Sequence, residues 1–96
     1  MLEHKKYTFD AVIEKNPDMD AGWVVFPYDL RKETGKGRAK VNATFDGIPY
    51  RGSVVNMGLK HPDGSVCYIL GMPKAVRQAT GKTFGDTVQT TIEITD

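Results

Sequence analysis

Cysteine is all but missing: Cys67 is the only one in 96 residues, so the chain can form no internal disulfide and no cysteine-rich zinc site. Histidine is scarce as well, with only His4 and His61. Net charge is nearly absent, because 13 Lys and Arg oppose 12 Asp and Glu to leave +1. Nothing in that balance pulls the whole molecule toward nucleic acid or an anionic membrane, and such binding would need a local patch. No apolar run approaches the roughly 20 residues that a membrane-spanning helix needs. The opening Met1-Leu2-Glu3-His4-Lys5-Lys6 lacks the apolar core of a secretory signal. The expectation is a cytoplasmic protein without a membrane segment. Linkers and low-complexity stretches are missing too, so the chain reads as one domain with a core at about 7–95.

What is present is short alternation. The apolar fraction of 40% and the charged fraction of 26% are those of a globular chain. Tyr7, Phe9, Ala11 and Ile13 alternate with Thr8, Asp10, Val12 and Glu14, predicting a strand over Tyr7 to Lys15. Asn16 to Ala21 is a polar turn, and Gly22 to Phe26 is a second strand, expected as the hairpin partner of the first. Arg38 to Phe45 alternates again. Asp46-Gly47 then marks a two-residue hairpin, because a type I′ turn needs positive φ at both central positions. Ile48 to Asn56 returns as a strand in which Gly52 predicts a bulge or bend. Met57 to Gly64 reads as the longest loop, Ser65 to Gly71 as an apolar strand, and Thr87 to Thr95 as the last strand, following the Gly85-Asp86 turn.

Between strands the chain repeats itself. Pro27-Tyr28-Asp29-Leu30-Arg31-Lys32-Glu33-Thr34-Gly35-Lys36 aligns with Pro73-Lys74-Ala75-Val76-Arg77-Gln78-Ala79-Thr80-Gly81-Lys82, identical at five of ten positions and offset by 46. Each proline is expected at the first helical position and each glycine at the left-handed stop. Helices of about eight residues do not stand alone and must be held by packing. Leu30 is the expected anchor of the first, and Ala75, Val76 and Ala79 form the expected apolar stripe of the second, with Lys74, Arg77 and Gln78 facing out. The order β-β-α-β-β-β-α-β predicts an all-β fold with two short helices. The repeat predicts a double-split β-barrel of two halves about a pseudo-twofold axis. Because both halves lie in one chain, a monomer is expected.

Three stretches also carry a resemblance: Gly22-Trp23-Val24-Val25-Phe26-Pro27, Asp46-Gly47-Ile48-Pro49-Tyr50-Arg51-Gly52-Ser53, and Pro73-Lys74-Ala75-Val76-Arg77 through Gly85-Asp86-Thr87-Val88. In that order they resemble the bacterial and archaeal domain of unknown function 1905 family, over Tyr7 to Glu93. That resemblance implies no activity. Pro73, Val76, Arg77, Gly81 and Gly85-Asp86-Thr87-Val88 also look like the swapped-hairpin unit of AbrB-type regulators, which implies a DNA-binding double-split barrel. The first copy departs from that pattern, having no Gly-Asp before Val41.

The candidate functional residues are few. Arg31, Lys36 and Arg38 cluster around the first helix with Lys32 and Lys40, and Arg77 and Lys82 repeat Arg31 and Lys36. The AbrB-type resemblance implies that arginines on and near this helix contribute to DNA contact, and Arg31 and Arg77 match in position. Cationic side chains on two related elements suit phosphate contact, although bases at a helix C-terminus also simply meet its dipole. Arg51 and Ser53 are candidates to line a polar pocket. The alternative is that Gly52 makes a bulge and Arg51 pairs with a carboxylate.

Other patterns fail on inspection. Gly81-Lys82-Thr83 lacks the earlier glycine of a phosphate loop, having Val76 there, and it closes a helix instead of opening one. Asn16, Asp18 and Asp20 have calcium-loop spacing, but Ala21 and Pro27 stand where glycine and glutamate are required. His4, His61 and Cys67 suggest no metal site. Trp23, Phe26, Tyr50 and Tyr68 are expected to serve the core rather than a stacking face. No nucleophile–base set stands out, so no catalytic residue, metal or cofactor is assigned. The leading expectation is a non-enzymatic binding or interaction module. A nucleic-acid-binding module is second and an enzyme with a small-molecule pocket third.

Overall fold

The alternation of apolar residues decides which side chains turn inward, and pairing decides which strands become neighbours. A computed structural model describes residues 5–95. Its elements are β1 (Lys6–Val12), β2 (Glu14–Lys15), β3 (Gly22–Phe26), α1 (Leu30–Thr34), β4 (Arg38–Phe45), β5 (Ile48–Lys60), β6 (Val66–Met72), α2 (Lys74–Thr80) and β7 (Thr87–Ile94). The strands form one antiparallel sheet in the order β1-β7-β4-β5-β6-β3-β2, so the all-β class with two short helices holds. Its two outermost strands are consecutive in the chain. The sheet therefore curls into a half-barrel whose edges meet at Ile13.

That closure corrects the first predicted hairpin. The stretch Tyr7 to Lys15 is not one strand paired with Gly22 to Phe26. Lys6–Val12 pairs with β7, with Tyr7 opposite Ile92, and only Glu14 and Lys15 pair with β3. At the junction the Ile13 N–H donates to the Asp86 carbonyl at 2.9 Å, and the Ile13 carbonyl accepts from Gly85 N–H at 2.8 Å. The inward alternation runs unbroken through Ile13, so it reports a face and not a partner.

The Asp46-Gly47 turn is as predicted, with φ of 49° and 86° and Phe45 opposite Ile48. Gly52 is not a bulge. It sits in continuous register opposite Val41, and a Cβ there would lie 2.7 Å from the Tyr50 ring, so its bareness makes room for that ring. Met57 to Gly64 is not a loop either, since β5 continues to Lys60. The ladder slips by two residues between Asn56 opposite Tyr68 and Lys60 opposite Val66, where Gly58 takes φ 84° and its N–H donates to Asn56 Oδ1. The slip is a bulge, which bends the strand without ending it. Only His61 to Ser65 remains as the turn.

Both helices differ from expectation at their starts. α1 begins at Leu30, and Asp29, not Pro27, caps it by accepting the Lys32 N–H at 3.3 Å. Pro73 stands just outside α2 as its cap residue. Gly35 and Gly81 close the helices at φ 76° and 73°, as predicted. Leu30 is fully buried, but the expected stripe of α2 is not: Ala75 and Ala79 are exposed, Val76 is half-buried, and Arg77 is the buried residue. The interior is built from Val24, Phe26, Leu30, Val41, Phe45, Val54, Leu70, Val88 and Ile92, with Tyr7 and Phe9 packed against it.

Candidate functional site

Antiparallel pairing sets where each helix falls. Phe26 stands opposite Tyr68 and Gly22 opposite Met72. α1 follows Phe26 and α2 follows Met72, so the helices lie at opposite ends of the sheet. The end that carries α1 also carries the start of β6 and the His61–Ser65 turn. Between them opens a cleft of about 550 Å³, lined by Pro27, Tyr28, Asp29, Arg31, Lys32, His61, Ser65, Val66 and Tyr68.

The cleft is held by structure on both walls. Leu30 pins α1 to the core, and the Tyr7 hydroxyl donates to Glu33 Oε1 at 2.6 Å from β1. Burial, then the Glu33 carboxylate that accepts this bond, push the Tyr7 hydroxyl up to about 12. Lys5 Nζ adds a 2.7 Å bond to the Glu33 carbonyl. Tyr28 stands at the rim, 44% exposed, with its ring 4.9 Å from Tyr7 and 5.5 Å from Phe26. On the other wall His61 and Ser65 bracket a tight turn closed by the His61 N–H on the Ser65 carbonyl at 2.8 Å. Within it the Ser65 hydroxyl donates to Asp63 Oδ1 at 2.6 Å, and this bond first among several holds the Asp63 carboxyl below its ordinary range. That serine is engaged with a weak base and is a poor nucleophile. Asp29 also lines the cleft, but one of its oxygens accepts the Lys32 N–H of the helix cap.

The candidate residues read from sequence are dispersed. Arg31 is in the cleft and exposed, its Nη2 lying where a Cβ on Gly37 would come within 2.8 Å. Lys36 follows the α1 cap, its N–H donating to Thr34 Oγ1 at 3.1 Å, and Arg38 opens β4 opposite Val55. Those three share the α1 end. Arg77 and Lys82 lie at the other end. The Arg77 side chain is only 6% exposed: it donates to the Met72 carbonyl at 3.1 Å and to Asp20 Oδ1 at 2.9 Å, and stacks 4.5 Å from the Phe84 ring centroid. Lys82 Nζ pairs with Asp46 Oδ2 at 2.7 Å and donates to the Thr87 carbonyl at 2.7 Å. That bond from Lys82, together with the Gln89 N–H, draws the Asp46 carboxyl below its ordinary range. Arg51 and Ser53 stand on the outer flank of β5, beside a shallow hollow of about 590 Å³ shared with Lys40, Asn42 and Thr95.

Sequence reasoning did not bring His61, Ser65, Tyr28 and Tyr68 to the cationic helix. The pairing of β3 with β6 does that, and only a prediction of that pairing would have found it. Among the aromatic residues, Phe26 and Tyr68 are buried and Tyr50 packs 6.0 Å from Phe45, while Trp23 lies half-buried on the outside. The Cys67 thiol is pushed up by burial and then by Glu14, away from reactive thiolate character. Among the described residues no group of three His, Cys, Asp or Glu side chains could hold a metal, and no helix is long and apolar enough to cross a membrane. His4 lies outside the described residues.

A search of curated proteins found no match. Residues 9–92 match the family model described as Domain of unknown function (DUF1905), which spans nearly all of the curled sheet, and the chain belongs to that family.

Proposed function

We propose that this protein is a non-enzymatic binding module whose ligand carries negative charge and enters the cleft between α1 and the His61–Ser65 turn. The supporting observation is convergence: Arg31, Lys32 and His61 surround one opening together with the hydroxyl-bearing Tyr28, Ser65 and Tyr68. Hydrogen bonds from cationic donors to an anion are worth roughly 1.5–3 kcal/mol each, so two suffice to select a charged ligand from a neutral one. The Tyr28 side chain at the rim then supplies a hydroxyl for orientation and a flat apolar contact. Ser65 spends its proton on Asp63, so the site binds and does not attack.

The test is a thermal-shift and calorimetric series with inorganic phosphate, citrate, nucleoside monophosphates and neutral sugars. The expected result is that anions alone raise the melting temperature and that Arg31→Ala weakens their binding about tenfold or more, the equivalent of 1.4 kcal/mol. A series in which no anion binds at millimolar concentration overturns the reading.

A nucleic-acid ligand is the second reading, favoured by the placement of Lys36 and Arg38 at the same end as Arg31. It requires gel retardation that falls steeply with salt, and Arg38→Ala should reduce it. The same proposal takes the sheet as a split barrel of two related halves in one chain. In its support, Val24 stands opposite Leu70, 46 positions on, and Thr44 opposite Thr91, 47 positions on.

A further inference from the structure

The end of the sheet opposite the cleft has an arginine of its own. Arg77 aligns with Arg31, and α2 follows Met72 as α1 follows Phe26. Beside α2 lies an opening of about 330 Å³ whose walls include Asp20, Lys74, Arg77, Gln78, Lys82 and Phe84. Unlike Arg31, Arg77 is held in place. Its Nη1 donates to the Met72 carbonyl at 3.1 Å, and its guanidinium carbon lies 4.5 Å from the Phe84 ring centroid. Gly22 leaves room for both groups, since a Cβ there would come 3.0 Å from the Phe84 ring and 3.3 Å from Nη1. The group left for Nη2 is the chain's own carboxylate: Asp20 Oδ1 accepts from it at 2.9 Å, and Lys74 Nζ lies 3.9 Å from Oδ2. The Asp20 side chain is 61% exposed and that of Arg77 only 6%. Lys82 Nζ is engaged with Asp46, so Arg77 and Lys74 are the cations that face Asp20 among the described residues.

The turn that carries Asp20 does not depend on that contact. It is closed by the Asn16 N–H on the Ala21 carbonyl at 2.8 Å and by the Asp18 N–H on Asn16 Oδ1 at 2.9 Å. Lys15 Nζ adds bonds to the carbonyls of Asn16 and Met19 at 3.0 and 3.2 Å. None of these bonds uses the Asp20 side chain. We propose that the opening beside α2 is a binding site for a small carboxylate ligand, and that Asp20 is a tethered occupant which the ligand displaces. The ligand's carboxylate takes the place between Arg77 Nη2 and Lys74 Nζ, and the rest of it enters the opening. A guanidinium already fixed by a ring and a carbonyl loses little further freedom on taking an anion. Asp20 gives way readily, because an ion pair with one member largely in water is weak. A tethered competitor acts at an effective concentration on the order of millimolar, so the intact chain binds such a ligand weakly and loss of the Asp20 side chain opens the site. The proposal is independent of the cleft, which opens at the α1 end.

Acetate titrations of the full chain, read by NMR on the Arg77 side-chain Nε–H, test it at this site alone. The expected result is that Asp20→Ala binds acetate about tenfold more tightly than the wild type or better, with Asp20→Asn, of nearly the same shape, in between. Adding Lys74→Ala to Asp20→Ala, at a position 65% exposed, should weaken that binding again. Thermal melts give a second readout: acetate should raise the melting temperature of both Asp20 variants more than that of the wild type, and more than chloride does at equal ionic strength. Asp20 variants that bind acetate no more tightly than the wild type overturn the proposal and leave Asp20–Arg77 as a structural ion pair. So does acetate binding that Lys74→Ala leaves unchanged, or a stabilisation that chloride matches.

Discussion

Single residues in this protein owe their roles to what lies over them. Arg31 and Arg77 occupy equivalent places in the repeated segment, yet one is at a cleft wall in water and the other is a strut under Phe84. Removing the strut takes the buried guanidinium donor from the Met72 carbonyl and the stacked group from Phe84, so Arg77→Ala should cost about 1–3 kcal/mol. Arg31→Ala should stay within about 0.5 kcal/mol of the parent, as surface changes do. Urea unfolding of the two variants checks the contrast, and equal losses would refute it. Gly52 is bare because Tyr50 lies across it. Gly52→Ala should destabilise the parent by about 1 kcal/mol, and less once Tyr50 is also leucine, a coupling that a double-mutant cycle measures.

Tyr7 adds a pH signature. Its hydroxyl is raised from 10.0 to about 12 in the folded state, by burial first and by Glu33 next. A group with a raised folded pKa contributes its stability below the unfolded value and loses it as pH climbs through the folded one. The Tyr7–Glu33 contribution is therefore present below pH 10 and lost between 10 and about 12. Tyr7→Phe should flatten that part of the stability profile in alkaline urea melts.

At the scale of elements, the repeat announced two short helices with glycine stops, and both are there. α1 starts beyond its proline because proline fixes φ without supplying an acceptor, whereas Asp29 supplies one; at α2 Pro73 is itself the cap residue, with no side-chain cap bond. A five-residue α1 has little stability of its own and depends on that cap and on Leu30. Asp29→Ala should cost about 1 kcal/mol, and amide exchange across Leu30–Thr34 reads the fraying directly. Asp46-Gly47 and Gly85-Asp86 were legible because positive φ leaves few residue choices. The extension of β5 to Lys60 was not, because Met57-Gly58-Leu59 has no alternation across its bulge. Arg77 was invisible as an interior residue, since hydropathy counts its charge and not the three groups that receive it.

For the whole molecule, the decisive contact is the one at Ile13, where the chain leaves one edge of the sheet and enters the other. Its side chain is 1% exposed and its backbone is tied to the Gly85-Asp86 turn. Ile13→Ala should cost about 2–5 kcal/mol and raise amide exchange in both β1 and β2, whereas a comparable truncation at an ordinary core site would not link those edges. Sequence alone determined the all-β class, the two helices, the tight turns and the inward faces of Tyr7–Ile13, Arg38–Phe45 and Thr87–Ile94, because these follow from local φ preferences and a two-residue period. Tertiary structure alone decided that β1 joins β7, that the helices stand at opposite ends, and that His61 and Ser65 face Arg31 and Lys32. Alternation gives every strand an inside and an outside but names no neighbour, and neighbours are what build the openings beside the two helices.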